Sequence, residues 1–323
     1  TAPQAWQGKP VSLVFEGVYQ TALVYLNGWL LTRNVNGYAE FTVEAGPYLK
    51  YGADNLLKVI ADNSQEPNSR WYTGSGIYRP VRLLVGNKVY LPQDTVRITT
   101  READEGFALL DVTAQVQSAS TVTERVTLQQ TICREGTAVL TDLLQPGESR
   151  TVSFRYCVDS PALWSPENPN LYTSTMQVLE GEEELDREET GFGIRTLSID
   201  AAHGVRINGQ TVKLRGACIH HDNGILGAAT LPDAEERRIR QLKEAGFNAI
   251  RSSHHPAGRA LLDACDRYGV LVMDELSDVW NVRKNPYDYA LYFEQDWKPT
   301  IQKMVAKDYN HPSVILYCVG NEI

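Results

Sequence analysis

The 323-residue chain has no apolar run approaching the ~18 residues that a membrane-spanning helix requires. It has no basic cluster either: 31 Lys and Arg against 40 Asp and Glu leave a net charge of −9. A nucleic-acid or anionic-membrane surface is therefore not expected. No GxGxxG or P-loop follows the first strand of the parallel pattern described below, so a nucleotide cradle has no support. Cysteine is sparse. Cys133, Cys157, Cys218, Cys265 and Cys318 are far apart, odd in number and without CxxC spacing. Neither a disulfide framework nor a zinc ribbon follows, and a reducing, cytoplasmic setting is expected. No signal peptide is visible, although the opening Thr1-Ala-Pro-Gln4 reads as a cut rather than a natural start.

What the chain does have is β pattern followed by a change of period. Residues 1–91 carry short alternating strands such as Val11-Ser-Leu-Val-Phe15 and Thr21-Ala-Leu-Val-Tyr25, with Asn27-Gly28 as a hairpin turn. Between the later strands lies Asn68 to Pro80, where aromatics and an arginine alternate with glycines. That suits a loop meeting a sugar or another domain, and equally a packed crossover. Residues 92–198 continue in β with sandwich spacing, and the acidic run Gly181 to Glu189 reads as a solvated hairpin.

From residue 199 the pattern becomes β-α-β-α-β-α-β, that of a parallel sheet with right-handed crossovers. Lys213 to His220, Ala249 to His254, Val270 to Glu275 and Val314 to Val319 are the strands. Asp233 is expected to cap the first helix in a capping box with Glu236. Pro299 is expected to start or kink the third. Four strands in ~125 residues make half of a (β/α)8 barrel. In such folds chemistry sits at the carboxyl ends of the strands. Here those ends read His220-His221-Asp222, His254-His255, Asp274-Glu275 and Asn321-Glu322. A zinc site is one reading, but neighbours on a strand face opposite ways, so each His pair offers one ligand, and no HxH or HExxH occurs. Carbohydrate chemistry is the other: glycosidic cleavage needs one carboxyl to protonate the leaving oxygen and polar groups to hold the ring.

Phe247-Asn-Ala-Ile-Arg-Ser-Ser-His-His-Pro256, Asp266-Arg-Tyr-Gly-Val-Leu-Val-Met-Asp-Glu275 and Asn310-His-Pro-Ser-Val…Gly-Asn-Glu322 resemble the signatures of glycoside hydrolase family 2, the β-galactosidase, β-glucuronidase and β-mannosidase group. The resemblance implies a jelly-roll sugar-binding domain over 1–91, an immunoglobulin-like β-sandwich over 92–198, and the N-terminal half of a TIM barrel over 199–323. It implies a retaining exo-β-glycosidase with a carbohydrate substrate. Glu322 matches the general acid/base and Asn321 the residue on the sugar 2-hydroxyl. His254 and His220 match histidines lining the −1 subsite, with Asp274 and Glu275 supporting the site. Asp278 is a further candidate substrate contact. The nucleophile is expected on a later strand outside the chain, so 1–323 alone is expected to be inactive.

Tyr317-Cys318-Val319 departs from the family's usual Trp-Ser before Gly-Asn-Glu. The magnesium-binding Glu and His of some β-galactosidases are not in register, so neither Mg nor Na is supported as a cofactor. His220-His-Asp-Asn-Gly-Ile-Leu-Gly227 looks most like β-galactosidase-type members. β-Glucuronidase, β-mannosidase and a non-catalytic carbohydrate-binding module are the alternatives. A homo-oligomer is compatible with the resemblance, and membrane and nucleic-acid partners are not expected.

Overall fold

The computed structural model describes residues 1–132 and 136–323, so the expectation for Cys133 lies outside the described residues. In the first segment, two three-stranded antiparallel sheets face each other. One orders Phe41–Glu44, Val11–Phe15 and Val81–Val85; the other orders Trp29–Asn34, Thr21–Leu26 and Leu57–Asp62. Phe15, Val24, Phe41 and Val43 fill the space between them, with Phe15 stacked on Phe41 at 5.0 Å. The expected Asn-Gly hairpin is present. Leu26 pairs with Trp29 across Asn27 and Gly28, whose φ values of 52° and 91° suit a primed turn.

The second segment is also two antiparallel sheets. Arg97–Ala103, Phe107–Ser118 and Ser149–Asp159 form one; Gly136–Leu144, Glu124–Ile132, Tyr172–Glu180 and Glu183–Phe192 form the other. Strict alternation of buried and less buried residues along Glu124–Ile132 marks one face for the core. That core holds Leu110, Val112, Leu128, Met176 and Phe192.

The parallel unit follows: β1 (Gly216–Ile219), α1 (Pro232–Glu244), β2 (Ala249–Ser252), α2 (Arg259–Tyr268), β3 (Leu271–Glu275), α3 (Phe293–Asp308) and β4 (Val314–Cys318). The sheet order is β1-β2-β3-β4, every pair parallel. Ile250, Val272 and Val314 pack against Ile239, Leu261, Leu262 and Cys265 of the helices. Among the described residues no helix is long and apolar enough to cross a membrane.

Local expectations differ in three places. The first strand begins later than Lys213, because the Asn248 side chain takes the carbonyl of Lys213 and the amide of Arg215 at 3.0 and 2.7 Å, replacing strand pairing there. Asp233 does not cap α1. Pro232 opens that helix with Leu231 before it, which places Asp233 and Glu235 in the first turn, where the dipole favours acids. Glu236 instead bonds Arg267 and Tyr268 of α2. Helix α3 runs through Pro299 rather than starting at it, and the missing amide removes one intrahelical bond.

Side chains tie the three segments together. Arg79 of the first segment donates to its own Tyr38 carbonyl and to the Pro256 carbonyl beyond β2. Arg259 at the start of α2 holds Glu40 with two bonds of 2.8 Å and reaches Asp94 at 2.6 Å. From the second segment, Trp164 donates to the Asp266 carbonyl in α2.

Candidate active site at the strand ends

Residue parity decides which side chains enter the cleft. On β2 and β3, Ile250, Val272 and Asp274 share the face packed on the helices, while Arg251, Met273 and Glu275 share the other. Glu275 is fully buried on that second face. Its two oxygens each accept from Arg251 at 2.8 Å, and one lies 3.1 Å from His254 Nδ1. Arg251 also donates to the Asn321 side-chain oxygen at 3.0 Å. The Asn321 amide in turn donates to Asp278 at 2.8 Å, which fixes its orientation from both sides.

Asp278 is the hub of the next layer. Arg70, 208 residues earlier, donates two bonds to its carboxylate at 3.2 and 2.7 Å, and Lys284 adds one at 3.0 Å. Burial opposes the Asp278 charge, but the hydrogen bonds from Arg70, Asn321 and Lys284 outweigh it and hold the carboxyl below its usual range. Lys284 also reaches the Asn321 carbonyl at 2.6 Å. Glu322 lies at the outer edge, its side chain 67% exposed and its φ at 49°. One of its oxygens is 3.2 Å from Arg70 and 3.7 Å from Lys284.

The paired histidines split as alternation requires. His220 stacks on Trp71 at 5.2 Å with 22° between planes, and His254 meets the same indole edge-on at 5.5 Å. Their neighbours turn the other way. His221 and His255 sit among Tyr38 and Tyr78 of the first segment, His255 stacked on Tyr38 at 4.2 Å. Burial lowers the His221 pKa to about 4 and His255 well below its ordinary value, so both are neutral near pH 7. These two are packing groups tied to the sandwich. Burial also lowers His220.

Of the residues expected at the mouth, Asn321, Glu322, His254, His220, Asp278 and Glu275 lie in this contiguous set. Asp274 does not. It has no exposed surface, and it accepts from the Ala257 amide at 2.8 Å behind the sheet, on the face of Val272. A sugar in the cleft cannot reach it; its part is to hold the turn after β2. The set also contains residues that sequence reasoning missed. Arg251 sits on the inward parity of β2, a position that alternation alone marks. Arg70 and Trp71 come from the Asn68 to Pro80 loop, and Lys284 from the segment after β3.

Among the described residues, one cluster has the spacing to hold a metal: Asp263, Asp266 and His311. It lies on α2 and before β4. There Asp266 already bonds His311 at 2.5 Å and the Ser313 amide at 3.0 Å, and it joins the parallel unit internally rather than lining the cleft.

The chain is similar to several known proteins. The family description "Glycosyl hydrolases family 2, TIM barrel domain" matches residues 201–323, and "Glycosyl hydrolases family 2" matches residues 89–195. A beta-galactosidase of Bacteroides ovatus, BoGH2A, is 39% identical over 321 residues, covering 98% of this chain and 38% of that protein. A putative beta-glucuronidase of Formosa agariphila is 34% identical over 97% of this chain and 30% of its own length. A solved glycosyl hydrolase family 2 member from Bacteroides cellulosilyticus superposes with a TM-score of 0.94 at 40% identity, over all of this chain and 42% of that one. A beta-glucuronidase structure from Bacteroides uniformis superposes at 0.89 with 29% identity, over 40% of its length. The chain thus spans between 30% and 48% of the length of these and similar relatives.

Proposed function

Since the chain belongs to glycosyl hydrolase family 2, we propose that the full-length protein is a retaining exo-β-glycosidase and that residues 199–323 carry its acid/base half. Glu322 is the proton donor and acceptor: it protonates the leaving oxygen, then takes a proton from water in the second step. Asn321, held by Arg251 and Asp278, directs its remaining amide hydrogen to the sugar 2-hydroxyl. If the proton between His254 and Glu275 is on Nδ1, His254 offers Nε2 to the ring as an acceptor. The reading rests on one observation. Glu322, Arg70, Asp278, Asn321, Arg251, Glu275 and His254 form one unbroken chain of polar contacts across the ends of β2, β3 and β4.

For the sugar, we favour a neutral β-galactoside. The cleft cations Arg70, Arg251 and Lys284 each already face a carboxylate, so none of these three is free to meet a uronate. The relative named as a beta-galactosidase at 39% identity agrees. A β-glucuronide is the second reading, supported by the 34% relative of that name. For the front of the chain we infer a jelly-roll sugar-binding domain to residue 91 and an immunoglobulin-like sandwich to 198, supported by the two facing-sheet cores.

Proton NMR of the full-length protein acting on p-nitrophenyl β-galactoside, β-glucuronide and β-mannoside tests this. The galactoside should turn over fastest, and the β-anomer should appear first. Initial release of the α-anomer, or no turnover of any of the three, would overturn the reading.

A further inference from the structure

Among the described residues, Arg70 is the cation that the first sandwich places beside Asp278 and Glu322. Its loop carries Trp71 onto His220, and beside that contact its guanidinium forks. The Nε and Nη2 hydrogens go to the two oxygens of Asp278 at 3.2 and 2.7 Å, and Nη1 goes to Glu322 at 3.2 Å. A planar fork of this kind fixes two carboxylates relative to each other, which a lysine ammonium on a flexible stem cannot do. The carboxylates belong to different elements: Asp278 follows β3, and Glu322 follows β4. The Asp278 end is anchored, being 8% exposed and also bonded to Asn321 and Lys284. The Glu322 end is not anchored; besides Arg70, it has Lys284 at 3.7 Å.

We propose that Arg70 is a positioning residue for the acid/base step. Supplied by the first sandwich, it holds the Glu322 carboxylate at a fixed place relative to Asp278 and Asn321, so the barrel's acid/base is set from outside the barrel. This deepens the reading of Glu322 given above and rests on it.

The arrangement makes two effects separable. Arg70 supplies a positive charge beside Glu322, and Lys284 supplies a second, while Asp278 opposes them. Arg70→Lys keeps a cation there and loses the fork. Removing the fork frees the carboxylate to wander, and an ångström of misplacement costs on the order of 100-fold in rate. In the full-length protein, Arg70→Gln should lower kcat/KM roughly 10- to 100-fold. Arg70→Lys should leave kcat/KM depressed, because charge is restored and the fork is not. Added guanidinium should recover part of the Arg70→Gln activity.

A fall in kcat/KM that added guanidinium does not relieve, or full activity in Arg70→Lys, would reduce Arg70 to a packing residue and overturn the proposal. A second readout needs no activity: carbodiimide labelling of Glu322 in the full-length protein, followed by mass spectrometry. Labelling should rise in Arg70→Gln at fixed pH, and unchanged labelling overturns the contact. Should the wild-type protein hydrolyse no aryl glycoside, the enzymatic reading fails, while the labelling result still decides the Arg70–Glu322 contact by itself.

Discussion

Replacing Arg251 by Met tests whether the buried ion pair under the cleft holds the site in shape. Glu275 has no exposed surface, and its partners are two Arg251 donors at 2.8 Å and the His254 ring at 3.1 Å. Without Arg251 the carboxylate keeps the imidazole as its only side-chain partner, in a place water does not reach. Removing one member of a buried pair costs roughly 3–5 kcal/mol, whereas an exposed pair is worth under about 1 kcal/mol. The Arg251 side chain is 29% exposed, which places the expected loss near the lower end, about 3 kcal/mol. Native-state amide hydrogen exchange of residues 1–323 reads this locally. In Arg251→Met the amides of β2 and β3 should exchange about 100-fold faster, since each 1.4 kcal/mol is a factor of ten. Those of Phe107–Ser118 should keep their rates. A change of less than about threefold in β2 and β3 would mean that the pair behaves as a surface contact, and the argument for a rigid cleft floor would fail. Pairing Arg251→Met with Glu275→Leu should recover much of the loss, because no orphaned charge remains.

Stability should also fall with acid through His221. Its folded pKa of about 4 lies below the ordinary 6.5, so the unfolded chain binds the proton first. Stability is full above about pH 6.5 and is lost as pH falls toward 4, by roughly 3 kcal/mol. His221→Gln, which keeps a donor for the Thr73 carbonyl 2.8 Å away, should show a shallower loss of urea midpoint between pH 7 and 4; equal slopes would contradict the assignment. Gly269 ends α2 with φ at 65°, and a Cβ there would stand 2.3 Å from the Pro166 carbonyl oxygen of the second sandwich. Gly269→Ala therefore combines left-handed strain of about 1–2 kcal/mol with a backbone clash, and should lower the melting temperature by several degrees. An unchanged melting temperature would show that the helix end does not press on Pro166.

Much of this was legible in the sequence because it is local. The apolar runs ending in polar pairs announce parallel strands, and Asn27-Gly28 announces its own turn. Alternation separates His220 and His254 from His221 and His255. The same alternation, applied to Asp274-Glu275, would have sent one acid behind the sheet. Reading both as one group at the strand end obscured that. Asp233 reads as a cap because an acid three residues before Glu236 fits a capping box, but Pro232 starts the first turn two residues earlier than that cap would. Arg70 and Lys284 could not be assigned at all. Their partners are set by how the first sandwich docks on the barrel, a contact spanning 208 residues in the case of Arg70 and Asp278, which no periodicity encodes.

Glu322→Gln in the full-length protein tests the central claim most directly, assayed across aryl β-galactosides whose leaving groups range from nitrophenol to phenol and on to an alkyl alcohol. If Glu322 delivers the proton, the variant should lose orders of magnitude on the alkyl and phenyl substrates. It should keep much of its cleavage of the nitrophenyl substrate, whose leaving group needs no protonation, so that the rate becomes steeply dependent on leaving-group acidity. An equal loss across the series, or none, would remove Glu322 from proton transfer and with it the role assigned to the ends of these strands.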